Sequence, residues 1–130
     1  MKESFYKFTD PWISLIDYKD NKHFTPDNFN EDMNVQFNNE VQIKDENEAL
    51  VTLTIELGGT ENYPFYLKLS MSAVFYWEEG RSESDINSFL KFNAVSLLIS
   101  YIRPIIATIT SSSRFPTFNL PFIDITQDHQ

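Results

Sequence analysis

Three consecutive segments of this chain alternate apolar and polar residues with a period of two, and that pattern restricts the fold more than any other feature. From Met33 to Lys44 the odd positions are Met33, Val35, Phe37, Asn39, Val41 and Ile43, and the even ones are Asn34, Gln36, Asn38, Glu40, Gln42 and Lys44. From Val51 to Leu57, Val51, Leu53, Ile55 and Leu57 stand against Thr52, Thr54 and Glu56. From Phe65 to Trp77, Phe65, Leu67, Leu69, Met71, Ala73, Phe75 and Trp77 stand against Tyr66, Lys68, Ser70, Ser72, Val74 and Tyr76. Successive side chains of a strand point to opposite faces, so each segment reads as a strand with one dry face and one wet face. Asp45-Glu46-Asn47-Glu48 and Gly58-Gly59 supply turns between them, which makes a three-stranded antiparallel meander. An earlier strand is expected at Trp12–Tyr18, with Ile13 and Leu15 on one side and Ile16 and Tyr18 on the other. A polar connection from Lys19 to Asp32 follows, carrying two large aromatics, Phe24 and Phe29.

After Trp77 the periodicity changes to three and four. Ser82-Glu83-Ser84-Asp85 offers an N-cap and early negative charge. From Ile86 to about Thr110 the apolar residues include Ile86, Phe89, Leu90, Val95, Leu98, Ile102, Ile105, Ile106 and Ile109, with Phe92, Leu97, Ile99 and Tyr101 filling much of the other side. A helix that is apolar nearly all round needs cover on more than one face. One sheet covers one face, so a second subunit is expected on the other. Pro104 should kink or divide this helix. The β-branched run Ile105–Thr110 also suits a strand, but a strand there would leave Ile106 exposed. The last stretch, Arg114-Phe115-Pro116-Thr117-Phe118-Asn119-Leu120-Pro121-Phe122-Ile123-Asp124-Ile125, is apolar but broken by prolines, so it should be extended and packed on something.

The 130 residues suffice for one domain, 1–130, and not for two. Aromatics make up 15% of the chain, including twelve Phe. That is a large share for a mean hydropathy of -0.33, and it implies that some apolar surface meets a partner. The net charge of -9 argues against nucleic-acid backbones and anionic membranes as partners. The absence of cysteine excludes disulfides and thiolate sites and fits a reducing compartment. Met1–Tyr6 has no apolar core of a signal peptide, and the apolar run Ala94–Ile109, interrupted by Arg103 and Pro104, falls short of the ~20 residues that span a bilayer. A cytoplasmic protein is expected.

Enzymes bring titratable groups together, and the sequence offers little of that kind. His23 lies in the polar connection and His129 near the end, neither spaced to bind a metal with another histidine. Ser111-Ser112-Ser113 lacks nucleophile-elbow glycines. Three glycines in all leave no phosphate-cradling loop. No catalytic residue, metal or cofactor is expected.

The order of elements, together with Arg114-Phe115-Pro116-x-Phe118-Asn119-Leu120-x-Phe122, resembles the SecB family of protein-export chaperones. The match extends to the helix around Asn93, Leu97–Ile99, Arg103 and Ile105–Thr108, and to the connection His23–Phe29 leading into Met33, Val35 and Phe37. The resemblance implies an α+β fold: a four-stranded antiparallel sheet with a long kinked helix packed on one face, and a C-terminal second helix that is short or absent here. It implies a homotetramer, a dimer of dimers with helices between the sheets, and Phe92, Val95, Leu98, Ile99 and Ile102 are expected at the oligomer interface. It implies ATP-independent holding of unfolded client polypeptides in apolar grooves, which Phe24, Phe29, Phe115, Phe118, Leu120 and Phe122 would line.

Members that serve the SecA motor dock it through an acidic sheet face, for which the matching positions here are Asp17, Asp20, Tyr66 and Lys68. Lys68 stands where the family's glutamate is expected, and that reversal weakens docking of a basic motor segment. General export and a dedicated client, such as an antitoxin, are both open at this point. So is a non-enzymatic adaptor of SecB fold that binds one folded partner through its acidic sheet face.

Overall fold

The computed structural model describes residues 6–25, 35–121 and 123. Five strands form one antiparallel sheet: β1 (Tyr6–Phe8), β2 (Trp12–Asp20), β3 (Val35–Asp45), β4 (Glu48–Gly58) and β5 (Phe65–Trp77). The order across the sheet is β1-β5-β4-β3, and β2 also pairs with β5. β1 faces Phe75–Trp77 and β2 faces Phe65–Ser72, so the two lie end to end along the same side of β5. The four-stranded sheet expected from the sequence is therefore present, with its first strand in two pieces. Pro11 in the gap has no N–H to give a ladder. Thr9 bridges the break, its N–H donating to the Val74 carbonyl at 2.9 Å and its hydroxyl accepting from the Val74 N–H at 3.1 Å.

Cross-strand neighbours share a face, which assigns every strand residue. Val51, Leu53, Ile55 and Leu57 of β4 join Leu67, Leu69, Met71, Ala73 and Phe75 of β5 on the inner face, all essentially buried. A register shift between Ile13 and Leu15 changes the reading of β2: Ile13 lies opposite Met71 on the inner face and Leu15 opposite Ser70 on the outer. Strict alternation had put these two on the same side. The bulge at Ser14 accounts for the two-sided pattern, because one extra residue reverses the facing of all that follow. At the end of β4, Gly58 has φ +71°, and a Cβ there would lie 2.1 Å from the Phe65 carbonyl oxygen. Only glycine fits that approach.

The helical arm runs as α1 (Glu83–Ser88), a π-helical stretch (Phe89–Asn93) and α2 (Ala94–Ser111). The Ser82 side chain caps it by accepting from the Asp85 N–H at 3.1 Å. Pro104 lies inside α2 without dividing it; the departure from α geometry falls at Phe89–Asn93 instead. There Phe89 stacks on Tyr6 at 3.9 Å and meets Phe75 edge-on at 5.6 Å. By length and apolar composition the whole Glu83–Ser111 run would reach across a bilayer, which the shorter Ala94–Ile109 count had excluded. Here its apolar stripe packs on the sheet, as the core helix of a folded domain does.

That stripe corrects the expected oligomer interface. Val95, Leu98, Ile99 and Ile102 are buried against β4 and β5 within the single chain, together with Ala94 and Ile106. Of the five expected interface residues, only Phe92 stays partly open. The spacing of three and four marks the sheet-facing stripe, and a single chain consumes it. The opposite side carries Ser96, Ser100, Pro104, Thr108 and Ser111, all exposed, so the helix is less apolar all round than its spacing suggested. Surplus apolar surface lies elsewhere: Phe8, Trp12, Ile13, Leu15 and Ile16 at one margin of the sheet, and Val41 and Ile43 at the other.

The outer face carries hydroxyls in contact with one another. Ser72 Oγ lies 2.9 Å from Ser14 Oγ and 2.8 Å from Thr52 Oγ1, and Thr54 Oγ1 lies 2.7 Å from Ser70 Oγ.

Candidate functional site

The connection after β2 opens at Asn21. Its backbone N–H donates to the Pro64 carbonyl at 2.9 Å and its side-chain amide to the Tyr63 carbonyl at 2.8 Å, which fixes the turn before β5 against the end of β2. Phe24 folds back from this point, its N–H bonded to the Asn21 carbonyl at 3.1 Å. From the other side comes the segment after α2, called here the strap (Ser112–Pro121). Arg114 donates to Asp20 Oδ1 and to the Asn21 carbonyl, each at 3.1 Å. Asn21 is thus the node where β2, the turn before β5 and the strap meet.

Pro116 and Pro121 lack the N–H that strand pairing needs, and the strap's backbone bonds to side chains instead. The Phe118 N–H donates to Thr110 Oγ1 at 2.9 Å. Arg103 donates to the Leu120 carbonyl at 2.5 Å and to that of Pro121 at 3.2 Å. The Ser113 hydroxyl donates to the Phe115 carbonyl at 3.1 Å.

Between the strap and the turn before β5 lies an open trough of about 400 Å³, lined by Phe24, Tyr63, Pro64, Phe65, Phe115, Pro116, Thr117 and Phe118. Phe24 meets Phe115 edge-on at 4.8 Å, and Tyr63 meets Phe65 edge-on at 5.3 Å. The Arg114 guanidinium lies 5.0 Å over the Phe115 ring. Burial raises the pKa of the Tyr63 phenol and is also the main reason that of Tyr18 is raised. A wall made of rings and prolines can take apolar side chains of many shapes. It has no convergent acid, base or nucleophile to perform chemistry, and no cluster of metal-ligating side chains occurs among the described residues.

The structure brings Phe24, Phe115 and Phe118 together at this trough. Phe24 is only 6% exposed, so it forms floor rather than rim. Leu120, expected beside them, is 5% exposed and joins the main core. It stands two residues past Phe118, where Arg103 holds its carbonyl and the side chain turns inward. Phe29 and Phe122 lie outside the described residues. Tyr63, Pro64 and Phe65 were missed by sequence reasoning. Their signal was the aromatic-proline-aromatic run at the mouth of β5, whose period-two register puts Tyr63 on the side of Phe65.

On the outer sheet face, Lys68 lies between Asp17 of β2 and Glu56 of β4. The Tyr66 hydroxyl donates to Glu56 Oε2 at 2.5 Å, and that bond is the main reason its pKa is pushed up to about 12. Asp20, expected on this face, lies opposite Phe65 and pairs with Arg114. It therefore serves the strap. The charges that remain around Lys68 alternate in sign and do not form an acidic patch.

Sheet, helix and apolar trough define a small α+β domain with an open, largely apolar trough on its surface. The chain belongs to the SecB family: the model for the preprotein translocase subunit SecB matches residues 13–129. No curated protein matches the chain. Among solved structures it is similar to the Rv1957 SecB-like chaperone of Mycobacterium tuberculosis, in complex with a ChAD peptide from the Rv1956 HigA1 antitoxin. That likeness has a TM-score of 0.74 at 12% identity, over 92% of this chain and 91% of the other. A protein of unknown function from Streptococcus agalactiae is similar at a TM-score of 0.51 and 12% identity, covering 90% of this chain and 97% of that one. At such identities the likeness concerns the fold, and the SecB-like α+β architecture expected from the sequence is the one found.

Proposed function

We propose that this chain is a holdase chaperone subunit, without enzymatic activity or nucleotide, that retains non-native polypeptides in the cytoplasm. The observation that carries the reading is the trough lined by Phe24, Phe65, Phe115 and Phe118. Family membership supports it. The similar Mycobacterium tuberculosis chaperone holds an antitoxin peptide, which favours a dedicated client over general export. Lys68, flanked by Asp17 and Glu56, argues the same way, because it removes the acidic face that would draw a basic motor segment.

Each large apolar side chain fully buried in such a trough contributes ~1.5–3 kcal/mol. Micromolar binding needs about 8 kcal/mol after the client has been ordered. One trough therefore holds weakly, and several acting on one chain hold well. Assembly follows from that requirement, and the exposed Phe8, Trp12, Ile13 and Ile16 along β1 and β2 supply surface for it. The family's tetramer is the assembly we propose.

Purified protein should suppress aggregation of a reduced, unfolded model protein without nucleotide. Replacing Phe115 and Phe118 together by Ser should cut its affinity for that client at least tenfold while light scattering reports the same native mass. Undiminished holding by the double variant would reject the trough. A second reading, an adaptor for one folded partner, draws on Trp12 and Leu15, exposed on the outer face beside the hydroxyl pairs. An adaptor would ignore extended peptides of unrelated sequence, and a holdase would bind them.

A further inference from the structure

We infer that the buried hydroxyl of Thr110 is a positioning group for the trough, setting where the strap's aromatic wall stands relative to the sheet. The inference rests on the polypeptide-binding reading. Thr110 is fully buried near the end of α2, on the stripe that packs on the sheet. Its hydroxyl donates back to the Ile106 carbonyl at 2.8 Å, which fixes the side chain, and accepts from the Phe118 N–H at 2.9 Å. A threonine that only satisfied itself against its own helix would make the first bond alone. The second reaches eight residues along the chain, to the backbone of a trough residue.

The strap has few other ways to be placed. Its prolines deny it a sheet ladder, so among the described residues, beyond the helix end and the local Ser113–Phe115 bonds, three long-range clips hold it to the rest of the domain. Arg114 fastens the near end to Asp20 and Asn21, Arg103 fastens the far end at Leu120 and Pro121, and Thr110 fastens the middle. Arg103 and Arg114 have long side chains that can shift with the strap, whereas a buried threonine on a packed helix cannot. Phe115, Pro116, Thr117 and Phe118 all precede or include the Thr110-bonded residue. Losing that bond removes the hydrogen bond that ties the middle of the wall to α2, and a wall that must be ordered when the client binds takes its cost from affinity.

Two substitutions separate the hydroxyl from the shape. Thr110→Val keeps the volume and loses the bond; Thr110→Ser keeps the bond and loses a methyl. The readouts are affinity of the intact oligomer for a reduced, unfolded model protein, and hydrogen exchange at the Phe118 amide. Thr110→Val should weaken binding at least tenfold and speed exchange at Phe118 at least a hundredfold, with amides of β4 unchanged. Thr110→Ser should stay within threefold of the parent in both.

Equal loss in both variants would assign Thr110 to packing alone and overturn the inference, as would parental behaviour of Thr110→Val. If Thr110→Val does not fold, Arg103→Met takes its place: it should weaken binding and loosen the strap with β4 protection retained, and unchanged binding overturns the clip scheme. A parent protein that binds no unfolded chain sinks the holdase reading. The Phe118 exchange comparison would still decide what the hydroxyl does.

Discussion

Tyr66 has its phenolic proton held by Glu56 across the β4–β5 pair, and the consequence can be read by titration. The hydrogen bond keeps the phenol protonated to about pH 12, whereas an unfolded tyrosine ionises near 10. Between those values the unfolded chain binds fewer protons than the folded one, so stability falls as pH rises through that window. Tyr66→Phe should remove one late step from the ultraviolet tyrosinate titration and make the stability decline between pH 10 and 12 shallower. Loss of a step near pH 10 in place of the late one would mean that the Glu56 bond is not kept in solution. At this scale the sequence was partly legible. Phe24, Phe115 and Phe118 were found because rings in polar or proline-broken segments stand out. Leu120 was misplaced because one backbone clip, from Arg103, decides which way it faces, and no periodicity records a clip.

The helical arm presents the sharpest difference between pattern and packing. Spacing alone reports that a stripe exists and not what covers it, so Val95, Leu98, Ile99 and Ile102 were assigned to a partner and proved to be core. Ile102→Ala should therefore cost about 2–5 kcal/mol of subunit stability in urea unfolding, with native mass kept in the absence of urea. By contrast, Ile13→Lys with Ile16→Lys, at positions 43% and 48% exposed, should lower the native mass and leave secondary structure intact. Reversed results would return the interface to α2. The strands were legible nearly to the residue: β5 spans Phe65–Trp77 as its alternation requires. β1 escaped notice because three residues cannot show a period, and the bulge at Ser14 because a single extra residue mimics a two-sided strand.

For the molecule as a whole, the net charge is -9 and the trough is lined by apolar side chains. A negative field speeds the approach of basic chains and its effect fades with salt. Extended peptides of matched aromatic content should thus be captured faster when rich in Lys than when rich in Glu, and the difference should shrink between 20 mM and 500 mM salt. Identical association rates at low salt would remove electrostatics from client choice. Fold class and the family likeness were legible at this scale because turns, alternation and the Phe-Pro-x-Phe-Asn-Leu segment all agree. The seat of the excess apolar surface was not, since which strands form the margins is a matter of sheet order.

The hydroxyls on the outer face bond to one another across the strands. In each pair either oxygen can supply the hydrogen, and a hydroxyl rotor turns without moving any heavier atom. Ser14, Ser72 and Thr52 form a relay in which reversing one bond reverses the next. The sense of the hydrogen bond at Ser14, the exposed end, is thus tied to a hydroxyl buried between the strands.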